Sequence, residues 1–248
     1  MEKTMTIENG RLYKYWGEEK EVRIPKGITS IEPKAFFKSQ AEEVWLPDSL
    51  ISIHHNAFRY SKLKMVHFGN SLTGICENAF SNCDSLNFVE LPDSIHSVGS
   101  GAFSHTNEVR CSHYFNGADL IFHPLDINVY EMPETYTAVI TIGKQSLRVP
   151  RDMQIKEKDL ENIFHLETLT EKEKVVAKEN MKNMYLFSEA LEGRLRTGCF
   201  FAAAEMADMD NNQKARSYIQ EFKGIIDNVI KTQRDKKALE VLRQKFIF

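Results

Sequence analysis

The 248-residue chain contains no apolar stretch near the roughly 18 residues a bilayer crossing needs, so the sequence predicts no transmembrane helix. Its opening, Met1-Glu2-Lys3-Thr4-Met5-Thr6-Ile7, lacks the apolar run of a secretory signal. The expectation is a cytoplasmic protein as written, or a cell-surface or secreted one if a signal has been removed. The four cysteines, Cys76, Cys83, Cys111 and Cys199, show neither CxxC spacing nor the density of a disulfide framework, so reduced and mostly buried thiols are expected. A net charge of −3 exerts no global pull on nucleic acid or an acidic membrane. GxGxxG, P-loop, HExxH and GxSxG motifs are all missing. The histidines are scattered, and the one adjacent pair, His54-His55, points its side chains apart. These absences lead to an expectation of no catalytic residues, no metal site and no cofactor.

What the chain does have is a phrase repeated four times. It runs from Val22-Arg23-Ile24-Pro25 to Ala35-Phe36, from Val44-Trp45-Leu46-Pro47 to Ala57-Phe58, from Val66-His67-Phe68-Gly69 to Ala79-Phe80, and from Val89-Glu90-Leu91-Pro92 to Ala102-Phe103. Successive Phe residues lie 22, 22 and 23 positions apart. A fixed period of this length is the mark of a solenoid. Each copy opens with a short strand whose alternation sends two apolar side chains inward and one residue outward. Pro, which has no amide for a ladder, ends the strand in three copies, whereas the third has Gly69. An aliphatic pair follows, then Ala-Phe, with the Ala small where a neighbouring backbone passes and the Phe filling the core. Ser39, Ser61, Cys83 and Thr106, three positions after each Phe, suit a buried turn, which makes Cys83 a structural position rather than a nucleophile.

The skeleton Ile/Leu-Pro-x-x-Ile/Leu-x-x-Ile-x-x-x-Ala-Phe-x-x-Cys/Ser-x-x-Leu resembles the BspA-like class of leucine-rich repeats over about residues 7–115. The resemblance implies a right-handed solenoid with one parallel sheet and a role in recognition. Many members of that family are bacterial surface proteins.

Four segments are expected. Residues 1–21 form an N-terminal cap that turns at Asn9-Gly10, and residues 22–111 carry the four repeats. Residues 112–150 hold a degenerate unit, with Phe115-Asn116-Gly117 and Ile121-Phe122-His123-Pro124, and then a hairpin about Gly143-Lys144. After Pro150 the pattern turns helical, which makes 151–248 an all-α module and the whole chain α+β. Thr170-Glu171-Lys172-Glu173 has capping-box spacing. Val175, Val176, Met181, Met184, Tyr185 and Phe187 follow it. A helix over Glu189–Met209, an apolar face from Ala215 to Ile230 and a last helix capped by Asp235 complete the module. Residues 213–248 hold nine Lys/Arg against four Asp/Glu, read as a solvated face rather than a nucleic-acid footprint.

Parity along the strands places Arg23, Glu43, Trp45, Met65, His67, Phe88 and Glu90 on the outer side of the sheet. Trp45, Met65 and Phe88 would form a diagonal apolar stripe there, and exposed apolar patches usually mark contacts. His67 and Glu90, in the outward slot of neighbouring strands, would stand about 5 Å apart. The expected function is non-enzymatic: a protein-protein interaction module that recognises a protein partner through this face, with nucleic acid not expected as a ligand. The alternatives are cover by the 112–150 segment or the C-terminal helices, a homodimer surface, or a helical C-terminal effector that binds nucleic acid or a helical partner.

Overall fold

The computed structural model describes residues 4–118, 121–122, 137–151, 161, 164–165, 169–175, 213–221 and 224. The chain enters through a hairpin in which β1 (Met5–Glu8) and β2 (Arg11–Tyr15) pair antiparallel. Its turn residues, Asn9 and Gly10, have φ of 49° and 75°. Both are left-handed, as the two-residue turn foreseen at this dipeptide demands.

Each repeat then lays down two short strands on different sides of the coil. One side carries β3 (Glu21–Arg23), β5 (Glu43–Trp45), β7 (Met65–His67), β9 (Phe88–Glu90) and β11 (Glu108–Cys111). The other carries β4 (Ser30–Ile31), β6 (Ser52–Ile53), β8 (Gly74–Ile75) and β10 (Ser97–Val98). Within each side the pairing is parallel, and it joins equivalent positions of successive repeats: Val22 with Val44 with Val66, Ile31 with Ile53 with Ile75. The result is a β-solenoid. The expectation of one parallel sheet is corrected, because the aliphatic stretch after the turn is itself extended. Its buried amides and carbonyls must find partners, and the adjacent coil supplies them. The second sheet runs β1-β2-β4-β6-β8-β10, so the entry hairpin belongs to it.

The first sheet is interrupted. β3-β5-β7 form one ladder, while β9 and β11 continue into β12 (Thr137–Ile142) and β13 (Gln145–Pro150) as another. Two departures from the repeat lie beside this break, although β8 and β10 of the second sheet pair across it. The third period gains a residue in the Asp84-Ser85 turn, since Leu63 and Leu86 are 23 apart while Ser61 and Cys83 are 22 apart. Gly69 also replaces the usual Pro, and a Cβ there would overlap the Pro47 carbonyl. The backbone leaving β7 is therefore pressed against the preceding coil. β12 runs parallel to β11 and β13 antiparallel to β12, the hairpin expected about Gly143-Lys144.

A column of rings fills the core. Phe36, Phe58, Phe80 and Phe103 are fully buried and stack face to face at 4.7, 4.9 and 5.2 Å. Tyr15 begins the column at 4.7 Å from Phe36, so the hairpin seals the open end with a ring of the same kind. Each such side chain removes about 2–3 kcal/mol worth of apolar surface from water. The small Ala is explained as anticipated: the Phe36, Phe58 and Phe80 amides donate to the Ala57, Ala79 and Ala102 carbonyls at 2.7, 2.7 and 2.9 Å. The buried Cys83 thiol donates to the Phe58 carbonyl at 3.1 Å and lies 3.2 Å from Ser61 Oγ. Burial pushes it up to about 12, consistent with an inert structural thiol.

Two columns of backbone are left-handed. The residue before each Ala has φ of 59° at Lys34, 57° at Asn56, 55° at Asn78 and 65° at Gly101. The residue before Ser39, Ser61 and Cys83 has 59° at Lys38, 62° at Tyr60 and 56° at Asn82. Asn and Gly accept this region readily, whereas it costs Lys or Tyr about 1–2 kcal/mol each.

Past the last coil, Arg151 is only 1% exposed. Its Nη1 donates to the Ser104 and Thr106 carbonyls at 2.9 and 2.7 Å, and its Nη2 to Asn107 Oδ1 at 2.7 Å. Phe164 and His165 lie against Tyr114. Of the expected helical module, residues 171–175 are helical behind the foreseen capping box. Thr170 N–H donates to Glu173 Oε2 at 2.9 Å, and Glu173 N–H returns to Thr170 Oγ1 at 3.4 Å. Val175, expected on an apolar face, is 67% exposed. α1 (Gln213–Glu221) buries Ala215 and Ile219, which lie four apart and so share one face of the helix. The rest of the module, including Glu189–Met209 and the helix after Asp235, lies outside the described residues, as do His123 and Pro124.

Candidate interaction surface

The outward side of the first sheet forms two rows along the solenoid axis, at the strand spacing of about 4.8 Å. One row runs Glu21, Glu43, Met65, and the other Arg23, Trp45, His67. Past the break the rows resume as Phe88 with Glu108 and Glu90 with Arg110. All seven residues expected on this face are there.

Their contacts differ from the expected stripe. Across the ladder Trp45 stands opposite His67, while Met65 stands opposite Glu43. The Trp45 ring is held between the Arg23 guanidinium, 3.9 Å from the ring centre, and the His67 imidazole, stacked at 4.9 Å and 7°. A cation over an indole face is attracted by the ring's quadrupole. The indole is consequently half-buried, and the exposed apolar side chains are Met65 at 50% and Phe88 at 43%. They occupy the two strands that flank the break. Arg110 leans over the Phe88 ring at 5.4 Å, with its Nη2 3.1 Å from Glu108 Oε1.

The carboxylate that His67 meets is Glu43 rather than Glu90. His67 Nε2 lies 2.6 Å from Glu43 Oε1, on the strand before it. The imidazole is the donor, because an ionised carboxylate only accepts. Glu90 belongs to β9, which no ladder joins to β7. Beside this face Glu42 accepts from Lys20 at 2.7 Å and Lys64 at 2.5 Å, tying three successive coils together. Those two bonds pull its carboxyl down to about 2.

The face is not folded over by the 112–150 segment in its described part. Residues 137–150 extend the sheet edge to edge through β12 and β13. Glu21, Glu108 and Arg110 also stand in these rows and were not among the residues expected there. Counting 22 backward from Glu43, or 20 forward from Glu90, would have placed Glu21 and Arg110 in the rows.

A family model described as the BspA type leucine rich repeat region matches residues 6–117 in six copies. A search of curated proteins finds no match. Among solved structures, a leucine-rich repeat protein from Bacteroides capillosus is 23% identical, covering 44% of this chain and 99% of that one, with a TM-score of 0.37. A leucine-rich repeat protein of T. pallidum is 23% identical over 54% of this chain and 77% of its own, at a TM-score of 0.35. The pneumococcal vaccine antigen PcpA is 28% identical over 38% and 30%, at 0.32.

Proposed function

Since residues 6–117 belong to the BspA-type leucine-rich repeats, we propose that the outward face of the first sheet binds a protein partner through Met65 and Phe88, with Arg23, Glu43, Trp45, His67 and Glu90 around them. Repeats of this family usually mediate protein–protein interaction, are typically non-enzymatic and often occur in cell-surface or secreted proteins. Among the described residues no helix is long and apolar enough to cross a membrane.

The observation that carries the reading is the exposure of Met65 and Phe88 on a face whose other apolar ring, Trp45, is packed by its neighbours. Large apolar side chains ringed by charged residues have the make-up of an interface centre and its rim. Arg23 and Arg110, fixed by stacking, and Glu43, fixed by His67, present a set charge pattern around them.

Crosslinking and pull-down with the full chain test this, comparing wild type with a Met65→Ser/Phe88→Ser variant. Two central contacts at about 1–2 kcal/mol each make capture fall by more than tenfold while the circular-dichroism spectrum is unchanged. Capture at wild-type strength refutes the reading. A solution mass by light scattering that halves in the variant identifies the partner as a second copy.

A further inference from the structure

We propose that the outward face of the first sheet docks a second copy of this chain, in a symmetric dimer whose two-fold axis runs along the solenoid between the two rows. The proposal rests on the reading that this face is an interaction surface, and it names the partner.

Each strand of the face presents two outward residues, two positions apart, one to each row. These are Glu21 and Arg23 on β3, Glu43 and Trp45 on β5, Met65 and His67 on β7, Phe88 and Glu90 on β9, and Glu108 and Arg110 on β11. Acids and bases are sorted between the rows. Glu21, Glu43 and Glu108 stand in one, and Arg23, His67 and Arg110 stand in the other. Only Glu90 departs from the sorting. Burial constrains just the inward residue between each pair, so nothing in the core imposes it.

The charges at β3 are uncommitted. Glu21 and Arg23 are both exposed, and neither has an ion-pair partner among the described residues. Arg23 is nevertheless held in place, its guanidinium 3.9 Å from the centre of the Trp45 ring. A positioned cation and a carboxylate on one strand, each lacking a counter-charge in its own chain, suit a surface that pairs with itself.

A two-fold rotation about an axis along the rows lays each row over the other, which is the geometry of an isologous contact. Every strand then faces its own copy, so the interruption between β7 and β9 does not disturb the match. Glu21 meets Arg23 of the second copy, and Arg23 meets its Glu21. Glu108 and Arg110, already 3.1 Å apart, join their counterparts in a network of four charges. Glu43 comes opposite Trp45, whose indole N–H is a donor, and the exposed Met65 comes opposite the His67 ring. The other symmetric docking has its axis along the strands. It brings Met65 to Phe88 and His67 to Glu90, but it sets Glu43 against Glu108 and leaves Glu21 and Arg23 over Val139 and Thr141, which continue the rows on β12. Like charges set opposite each other cost affinity, so the first arrangement is favoured. The face is small for an interface, and a dissociation constant on the order of 10 μM is expected.

Sedimentation equilibrium of the full chain, over about 1–200 μM, brackets that value. Wild type should approach twice the monomer mass at the upper end, and its association should weaken as salt rises. Glu21→Arg and Arg23→Glu each set like charges together twice per dimer, and each should weaken self-association by more than about tenfold. An equimolar mixture of these two variants should associate as wild type does. The exchange variant Glu21→Arg/Arg23→Glu should do so on its own, with an unchanged circular-dichroism spectrum. A wild type that stays monomeric overturns the proposal; loss of capture in Met65→Ser/Phe88→Ser would then show that the face serves a different protein. A dimer indifferent to the single reversals, or a mixture that fails to associate, overturns it equally.

Discussion

The ring column makes a quantitative demand on stability. Phe58 touches a ring on each side, Phe36 at 4.7 Å and Phe80 at 4.9 Å, and Phe80 likewise has Phe58 and Phe103. Replacing either by Leu keeps most of the buried volume but deletes two stacking contacts. At about 0.5–1.5 kcal/mol per aromatic pair, Phe58→Leu should lose roughly 1–3 kcal/mol beyond any repacking, and Phe80→Leu about one pair more, because Phe80 also meets Phe68 edge to face at 6.1 Å. Phe58→Leu and Phe80→Leu together delete three stacking contacts rather than four, since the 58–80 contact is shared. The double variant should therefore be less destabilised than the sum of the singles by about one contact, 0.5–1.5 kcal/mol. Phe36 and Phe103 are separated by two rings, so their Leu substitutions should add within about 0.5 kcal/mol. Urea denaturation followed by circular dichroism measures both cycles. Trp45 fluorescence reports the N-terminal coils in the same samples, because the only other tryptophan is Trp16, in the entry hairpin. Zero coupling at 58 and 80, or equal coupling at 36 and 103, would show that the column is only a volume and that its stacking contributes nothing.

Two further outcomes follow from polar groups that tie coils together. Arg151→Lys cannot reproduce the three donors that reach Ser104, Thr106 and Asn107, and losing one or two charge-assisted bonds should cost about 2–4 kcal/mol; faster amide exchange in β11, β12 and β13 than in β4, β6 and β8 is the expected sign, and unchanged protection counts against the anchoring role. Glu42 is held at about 2, below its ordinary 4.5, first by Lys20 and then by Lys64. A depressed carboxyl contributes stability that is complete above the ordinary value and lost as pH falls toward the folded one, so wild type should lose stability between about pH 4.5 and 2 in a way that Glu42→Gln does not. Urea midpoints across that window measure the difference, and parallel pH curves for the two proteins would remove Glu42 as a tie.

The positions that repeat were readable because burial imposes them at every coil. Val22, Ile31, Phe36 and their equivalents must be apolar to close the core, so the period stood out and the parallel register followed from it. The capping box at Thr170 and the hairpins at Asn9-Gly10 and Gly143-Lys144 were readable for a similar reason, since each depends only on local backbone geometry. The second sheet was missed because two-residue strands such as Ser30-Ile31 are too short to show alternation. Their extended state comes from pairing with the next coil, which a single repeat does not display. The Arg23-Trp45-His67 stack was missed because its members are unlike one another and meet only through register. The role of Arg151 was missed because its partners are carbonyls 44 to 47 residues away, and nothing in its immediate sequence points back to them.

The exposed apolar pair sits where the ladder of the first sheet is interrupted. In an unbroken parallel sheet each outward side chain is flanked on both sides by its equivalents in the coils before and after. Trp45 shows the consequence: a large ring, flanked by Arg23 and His67, becomes half-buried on a face that is nominally open. Met65 and Phe88 each have a ladder partner on one side only, Glu43 and Glu108, because no ladder joins β7 to β9. The slip from 22 to 23 does not by itself undo pairing, since β8 and β10 pair across the same 23-residue step and β9 and β11 pair at a spacing of 20. The exposure of Met65 and Phe88 goes with the interrupted ladder between β7 and β9. In this solenoid the interruption of the ladder is a better guide to the accessible apolar surface than residue type, since Trp45, the largest apolar side chain on the face, is half-buried between its ladder neighbours.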